Sequence, residues 1–139
     1  MKEERSNIFV FDSFAILSFL ENEKGAWKVH ALLSKAKKGK IKGLFCILNL
    51  GEVVYIIERE QGLNIAHRAI ATLEQLPLEI IEVDRDLTLQ AAHIKANYHL
   101  SYADAFVVAL AVIQRGYVVT GDSEFKSVEK LVPIEWIHR

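Results

Sequence analysis

The sequence predicts an α/β fold in which a mostly parallel sheet is covered by helices on both faces. Three observations predict it. Short, continuously apolar runs such as Ile8–Phe11 and Tyr117–Thr120 read as strands buried on both sides. The longer segments between them carry apolar residues at helical spacing. The two signals alternate along 139 residues with no repeat, low-complexity tract or linker, so positions 1–139 are expected to form one domain.

The first strand, within Asn7 to Asp12, ends on an acid, and a helix from Ser13 to Asn22 follows with Phe14, Leu17 and Leu20 on one stripe. Gly25 to Lys38 reads as a second helix, with Trp27, Leu32 and Leu33 turned inward, lysines outward, and Gly39 as its stop. Leu44 to Leu48 is ambiguous between a strand and a helix entrance. Asn49-Leu50-Gly51-Glu52 is expected to open a third helix through Val53, Ile56 and Ile57, with Asn49 as its cap and Glu52 in its first turn. A fourth helix, about Asn64 to Leu76, stops at Pro77, and Leu78 to Val83 is a strand. Asp84 or Asp86 then caps a helix to about Asn97. Ser101 starts the most apolar helix of all, Gly116 ends it, and Tyr117–Thr120 is a strand that turns at Gly121-Asp122-Ser123. Ile134 to Ile137, after Pro133, is a last short strand.

Composition narrows the function classes. With 51% hydrophobic and 25% charged residues the chain is neither disordered nor fibrous, and its lone cysteine, Cys46, rules out an internal disulfide framework. A buried thiol in a reducing cytoplasm is the expectation. The charged start, Met1 to Asn7, and Asp12 argue against a secretory signal, and no uncharged stretch nears the roughly 20 residues that cross a bilayer. The net charge of −1 does not announce a nucleic-acid binder. Seven lysines between Lys24 and Lys42, with no acid among them, nevertheless form either a solvated face or a phosphate-attracting patch.

The chemistry-bearing residues are four acids at element ends. Asp12 ends the first strand, Glu52 lies near a helix start, Asp104 lies in the first turn of the apolar helix, and Asp122 directly follows the Tyr117–Thr120 strand. From Tyr102 to Ile113, Asp104 is the only charge. An ionised carboxylate in so apolar a helix needs compensation. Ser101 supplies an ordinary one, a Ser-x-x-Asp capping box; a divalent cation shared with other carboxylates supplies another. Each acid alone is explained by helix capping and the macrodipole. Capping does not explain why all four fall where an α/β sheet collects its strand ends, which is where such folds place their sites. An all-oxygen set suits Mg²⁺ or Mn²⁺, whereas zinc takes His and Cys, and the five histidines show no grouping.

In this order and spacing, strand-Asp12-Ser13, helix-borne Glu52, Ser101-Tyr102-Ala103-Asp104-Ala105 and Thr120-Gly121-Asp122-Ser123-Glu124-Phe125 resemble the PIN domain, specifically the VapC-type toxins of toxin–antitoxin pairs. The resemblance spans Ile8 to Ile137. It implies a three-layer α/β/α sandwich, a Mg²⁺- or Mn²⁺-dependent endoribonuclease, a homodimer, and neutralisation by a cognate antitoxin. The departures are Asn49, where the family often has Ser or Thr, and Ser123, where it commonly has Pro or Lys.

On that basis the expected reaction is hydrolysis of an RNA phosphodiester by a metal-activated water. Asp12, Asp104 and Asp122 would hold the metal, and Glu52 would complete its surroundings or orient the water. Ser13, Asn49, Thr120 and Ser123 would hold a ligand water or orient a carboxylate. Lys24, Lys28, Lys35 and Lys38, with Arg59 and Lys126 as weaker candidates, would hold the RNA backbone, and Tyr102 would stack on a base or simply pack. Two other readings stand beside this one. A haloacid-dehalogenase-like phosphohydrolase on a small phosphoester would want a second Asp where Phe14 stands, and a receiver domain would want an acid where Phe11 stands. A PIN-like scaffold that binds a partner without cutting is the other.

Overall fold

The computed structural model describes residues 6–138; most of the charged N-terminal segment lies outside the described residues. Five strands form one sheet: β1 (Ile8–Phe11), β2 (Lys42–Cys46), β3 (Leu78–Ile81), β4 (Tyr117–Thr120) and β5 (Ile134–Trp136). Their order is β3-β2-β1-β4-β5, and all four pairings are parallel. Among the described residues the α-helices are α1 (Ser13–Leu20), α2 (Ala26–Lys37), α3 (Ile47–Gln61), α4 (Leu63–Gln75), α5 (Arg85–Asn97) and α6 (Tyr102–Gln114), and a 3-10 helix covers Ser123–Val128.

The continuous apolar strands make sense once their two faces are separated. Side chains alternate across a strand, so Phe11, Phe45 and Val119 pack beneath α1 to α4, while Val10, Leu44 and Val118 pack beneath α5, α6 and the 3-10 helix. This is the α/β/α sandwich. α6 is buried from Ala105 to Ala111, and no single helix among the described residues is long and apolar enough to cross a membrane.

The order of strands creates the site. From β1 the chain steps to β2 and β3 by way of α1 to α4, then returns over the opposite face through α5 and α6 to place β4 on the other side of β1. Connections therefore leave β1 and β4 in opposite directions. The gap beyond their carboxyl ends is the topological switch point, where open α/β sheets bind ligands.

Three local expectations need correction. Trp27 is turned outward, 71% exposed, while Leu32 and Leu33 of the same helix are buried. Leu44 to Leu48 is both of its alternatives: the strand ends at Cys46, and α3 starts at Ile47. The α3 cap is thus Cys46 and not Asn49, whose side chain is fully buried, and Glu52 falls beyond the first turn. A strand that runs straight into a helix leaves no room for a polar cap, so the Asn-x-x-Glu spacing was coincidental. β3 also stops at Ile81, two residues early, because its partner β2 ends at Cys46, opposite Ile81, and turns into α3; Asp84 then caps α5 through the Leu87 N–H.

The seam between β1 and β4 is tight. Phe9 and Tyr117 stack at 4.8 Å across it, and a Cβ at Gly116 would sit 2.5 Å from the Ile8 carbonyl oxygen. Gly51, in contrast, has open space around its Cβ position on the exposed side of α3. Gly116→Ala is therefore expected to lower the unfolding free energy by about 2 kcal/mol or more, and Gly51→Ala to raise it by about 0.5–1 kcal/mol. Urea melts of the two variants check this; a neutral Gly116→Ala would contradict the close approach at the seam.

Candidate active site

Asp12 leaves β1 in extended conformation, and its Oδ1 accepts the Ala15 N–H at 2.7 Å, capping α1. The capping explanation is thus correct, and it is incomplete. The other oxygen, Oδ2, accepts the Thr120 hydroxyl from the end of β4. Thr120 Oγ1 in turn accepts the Asp122 N–H at 3.0 Å, and Asp122 Oδ1 accepts the Glu124 N–H at 2.9 Å, which starts the 3-10 helix. One hydroxyl therefore ties the acid after β1 to the turn that carries the acid after β4. Gly121 keeps this turn compact: a Cβ there would lie 2.6 Å from Phe14 and 2.9 Å from the His138 ring.

Asp104 arrives from the other face of the sheet. Ser101 caps α6 by accepting the Asp104 N–H at 3.1 Å, the expected half of a capping box. Its carboxylate, with those of Asp122 and Glu124, offers oxygens that all lie within 4.8 Å of one another. Asp12, Glu52, Asp104, Asp122 and Glu124 line one cleft of about 310 Å³. Among the described residues, no lysine, arginine or histidine lines it.

Burial and neighbouring acids perturb two of these carboxyls. Burial is the main cause that pushes the Asp12 carboxyl well above the ordinary range; the Thr120 and Ala15 hydrogen bonds oppose it, and the charges of Asp104 and Asp122 add to it. Burial also pushes Asp104 up to about 6, opposed by the Ser101 hydrogen bond and reinforced by Asp122, Glu52 and Glu124. Among the described residues no lysine or arginine forms an ion pair with these acids.

The surrounding residues fall into distinct places. Ser13 lines the cleft and donates to the Asn49 carbonyl at 3.3 Å. Asn49 lies behind the cleft, where its Nδ2 donates to the Ala103 carbonyl at 3.4 Å; its buried Oδ1 has no hydrogen-bond partner among the described residues. It thereby joins α3 to the turn of α6 that presents Asp104. Ser123 is exposed, and the cleft is lined instead by its neighbour Glu124. Sequence reasoning missed Glu124 as a site residue, although the Asp-x-Glu spacing after a strand was a signal that could have found it.

The basic residues do not gather around the acids. Lys28 bonds the Trp136 carbonyl at 2.7 Å and Glu135 at 3.0 Å, fastening α2 to β5. Lys35 and Lys38 lie where α2 runs toward the start of β2, the sheet edge opposite the acids. Lys24 is exposed in the turn between α1 and α2, Arg59 lies over the Tyr55 ring at 5.2 Å, and Lys126 is exposed on the 3-10 helix. Tyr102 is 47% exposed at the start of α6, edge-on to Phe106.

Comparison with known proteins agrees with this geometry. No curated protein sequence matches the chain. Among solved structures the fold is similar to VapBC2 from Rickettsia felis bound to a DNA fragment from its promoter, with a TM-score of 0.71, 15% identity, and coverage of 92% of this chain and 97% of that one. DNA-bound VapBC from Salmonella typhimurium gives 0.69, 18%, 93% and 97%. VapC20 of Mycobacterium tuberculosis, a toxin that cleaves the sarcin–ricin loop, gives 0.68, 21%, 87% and 94%. At such identities the likeness is one of fold. The sequence profile of the PIN domain matches residues 9–131, nearly the whole described chain; the chain belongs to the PIN domain family.

Proposed function

We propose that this chain is a Mg²⁺- or Mn²⁺-dependent endoribonuclease, acting as one domain in the cytoplasm and serving as the VapC-type toxin of a toxin–antitoxin pair. The observation that carries the reading is the convergence of Asp104, Asp122 and Glu124, oxygens within 4.8 Å, beside the buried Asp12 at the β1/β4 switch point. The likeness to the chains of VapBC complexes supports a cognate antitoxin as partner. The RNA-cleaving neighbour supports RNA as substrate, and a homodimer remains part of the proposal.

The donor set fits a hard divalent cation. Its candidate ligands are carboxylate oxygens, which suit Mg²⁺ or Mn²⁺, and among the described residues no His or Cys, which zinc prefers, lines the cleft. Asp104 and Asp122 would hold the ion, with Asp12 contributing from the floor of the cleft through the one lone pair that each of its oxygens retains. Bound there, the cation supplies a water of lowered pKa and offsets charge on the phosphoryl oxygens. Thr120 fixes the Asp12 carboxylate and Ser101 fixes the start of α6, so the acids are held before substrate arrives. Glu52 lines the cleft from α3 and would accept a proton or orient water. Because every charged residue that lines the cleft is an acid, phosphate contacts would come from its rim, with Lys126, close after Glu124, and Arg59, on the same helix as Glu52, the candidates nearest in sequence to site residues.

Two outcomes follow. Purified, antitoxin-free protein is expected to cut a panel of structured RNAs at discrete positions in Mn²⁺ or Mg²⁺, to stop in EDTA, and to lose at least about 10³-fold in rate as Asp104→Asn; a folded preparation that cuts nothing would instead favour a PIN-like binding module. The second outcome concerns stability without metal. Asp104 has a folded-state pKa of about 6 against an ordinary 3.8, so the folded state binds its proton more tightly than the unfolded chain. Unfolding free energy therefore falls as pH rises across that window, and Asp12 acts in the same direction. In EDTA, Asp104→Asn should melt a few degrees above wild type at pH 7.5, with the gap closing toward pH 4, and Mn²⁺ should raise the wild-type Tm more than the variant's. Thermal melts at the two pH values read both effects, and a gap that grows toward low pH would contradict the assignment.

A further inference from the structure

We propose that the groove between α1 and α3 binds a linear aliphatic polyamine, with Glu21, Glu23 and Glu60 seating an ammonium group and Phe14, Leu17 and Ile56 lying along its methylenes. The groove runs on from the acid cleft. Phe14, Leu17 and Ile56 line both, and the far part, about 250 Å³, adds Ser18, Glu21, Glu23 and Glu60. Helical spacing builds it: positions 14, 17, 18 and 21 share a stripe of α1 and its C-terminal cap, and positions 52, 56 and 60 share a stripe of α3. From Glu52 to Glu60 the helix rises about 12 Å. Carboxylates thus stand at both ends of an apolar strip.

Three exposed glutamates on their own are a solvated surface. Ser18 beneath them sets this place apart: it is 6% exposed, it lines the far part of the groove, and its hydroxyl bonds to no other described residue. A buried hydroxyl without a partner is costly, and an ammonium group in the groove would donate to it. The acids are also pressed together. Glu23 lies close enough to Glu21 for the two carboxyls to share a hydrogen bond, which, with burial and the charge of Glu60, pushes Glu21 above its ordinary range. Among the described residues none of the three forms an ion pair, although Lys24 is adjacent in sequence, and the side chain that donates to Glu21 is Gln61, at a long 3.4 Å.

The chemistry of the walls selects the ligand. Both walls are helix faces, whose backbone N–H and C=O groups are paired along the helix, so the main chain of a bound peptide would find no partner there. What the groove offers is carboxylate and hydroxyl acceptors beside apolar side chains. A polyamine carries what these match, ammonium donors separated by methylenes.

Calorimetric titration of spermidine into the full-length protein, in buffer containing Mg²⁺, tests this. Spermidine is expected to bind, and Glu21→Gln/Glu23→Gln/Glu60→Gln should weaken it at least about tenfold, since each exposed charge contributes a few-fold. An unchanged Tm of that variant shows an intact fold. Hexamminecobalt(III), a cation without methylenes, should bind at least about fivefold more weakly than spermidine. Asp104→Asn, in the neighbouring cleft, should keep the wild-type spermidine affinity. The proposal is overturned if the wild type binds no spermidine, if the triple variant binds it as tightly, or if hexamminecobalt(III) binds equally well. Loss of spermidine binding in Asp104→Asn would overturn this seat and move the ligand to the acid cleft. A dibasic lysine–alanine peptide that outcompetes spermidine would overturn the polyamine and assign the groove to a protein segment.

Discussion

The hydroxyl of Thr120 is the interaction on which the site depends. It donates to a carboxylate that is almost completely buried and accepts from the backbone that carries the next acid. Without a donor at that point Asp12 would face an apolar core with one oxygen unpartnered, which costs on the order of 1–3 kcal/mol for a buried polar group and more for a charged one. Because Thr120 is the last residue of β4 and Asp12 the first after β1, this bond also registers the two strands across the switch point. Fold and site are held together by the same contact.

The helix that brings Asp104 works against this economy. Ala105 to Ala111 are buried, and α6 packs into the core on one face of the sheet, so the carboxylate at its first turn is placed where water is scarce and other acids are near. A protein selected only for stability would gain by replacing that acid, since its charge is disfavoured by burial and by Asp122, Glu52 and Glu124 together. The arrangement is sensible when a cation supplies the missing charge, because the ion offsets the desolvation and repulsion that these acids impose on the fold. Strain of this kind belongs to a functional site.

Much of this was legible in the sequence because the relevant signals were local. Apolar runs at Ile8–Phe11 and Tyr117–Thr120 announced buried parallel strands, Gly116 and Pro77 marked breaks, and Asp12, Ser101 and Asp84 stood as caps where helices start. What escaped was whatever tertiary context decides. Asn49 looked like a cap because spacing alone cannot tell that α3 starts straight off β2 and draws the Asn side chain into the core. Trp27 looked buried because an aromatic at helical spacing usually is, yet the stripe of α2 that faces the sheet is Val29, Leu32 and Leu33. The lysines looked like one patch in sequence, but a helix running from one sheet edge to the other separates Lys28 from Lys35 and Lys38, and an ion pair with Glu135 occupies Lys28. Glu124 was passed over because an acid beside another acid reads as ordinary surface until the turn shows where it points.

The central claim is that these carboxylates exist to hold a divalent cation at the β1/β4 switch point. Anomalous diffraction at the manganese edge, from crystals grown in Mn²⁺, tests it most directly. The account predicts a manganese peak inside the cleft within about 2.5 Å of Asp104 and Asp122 oxygens, the range of metal–oxygen bonds. A well-ordered structure with this fold and these acids in place, and no manganese among them, would contradict it.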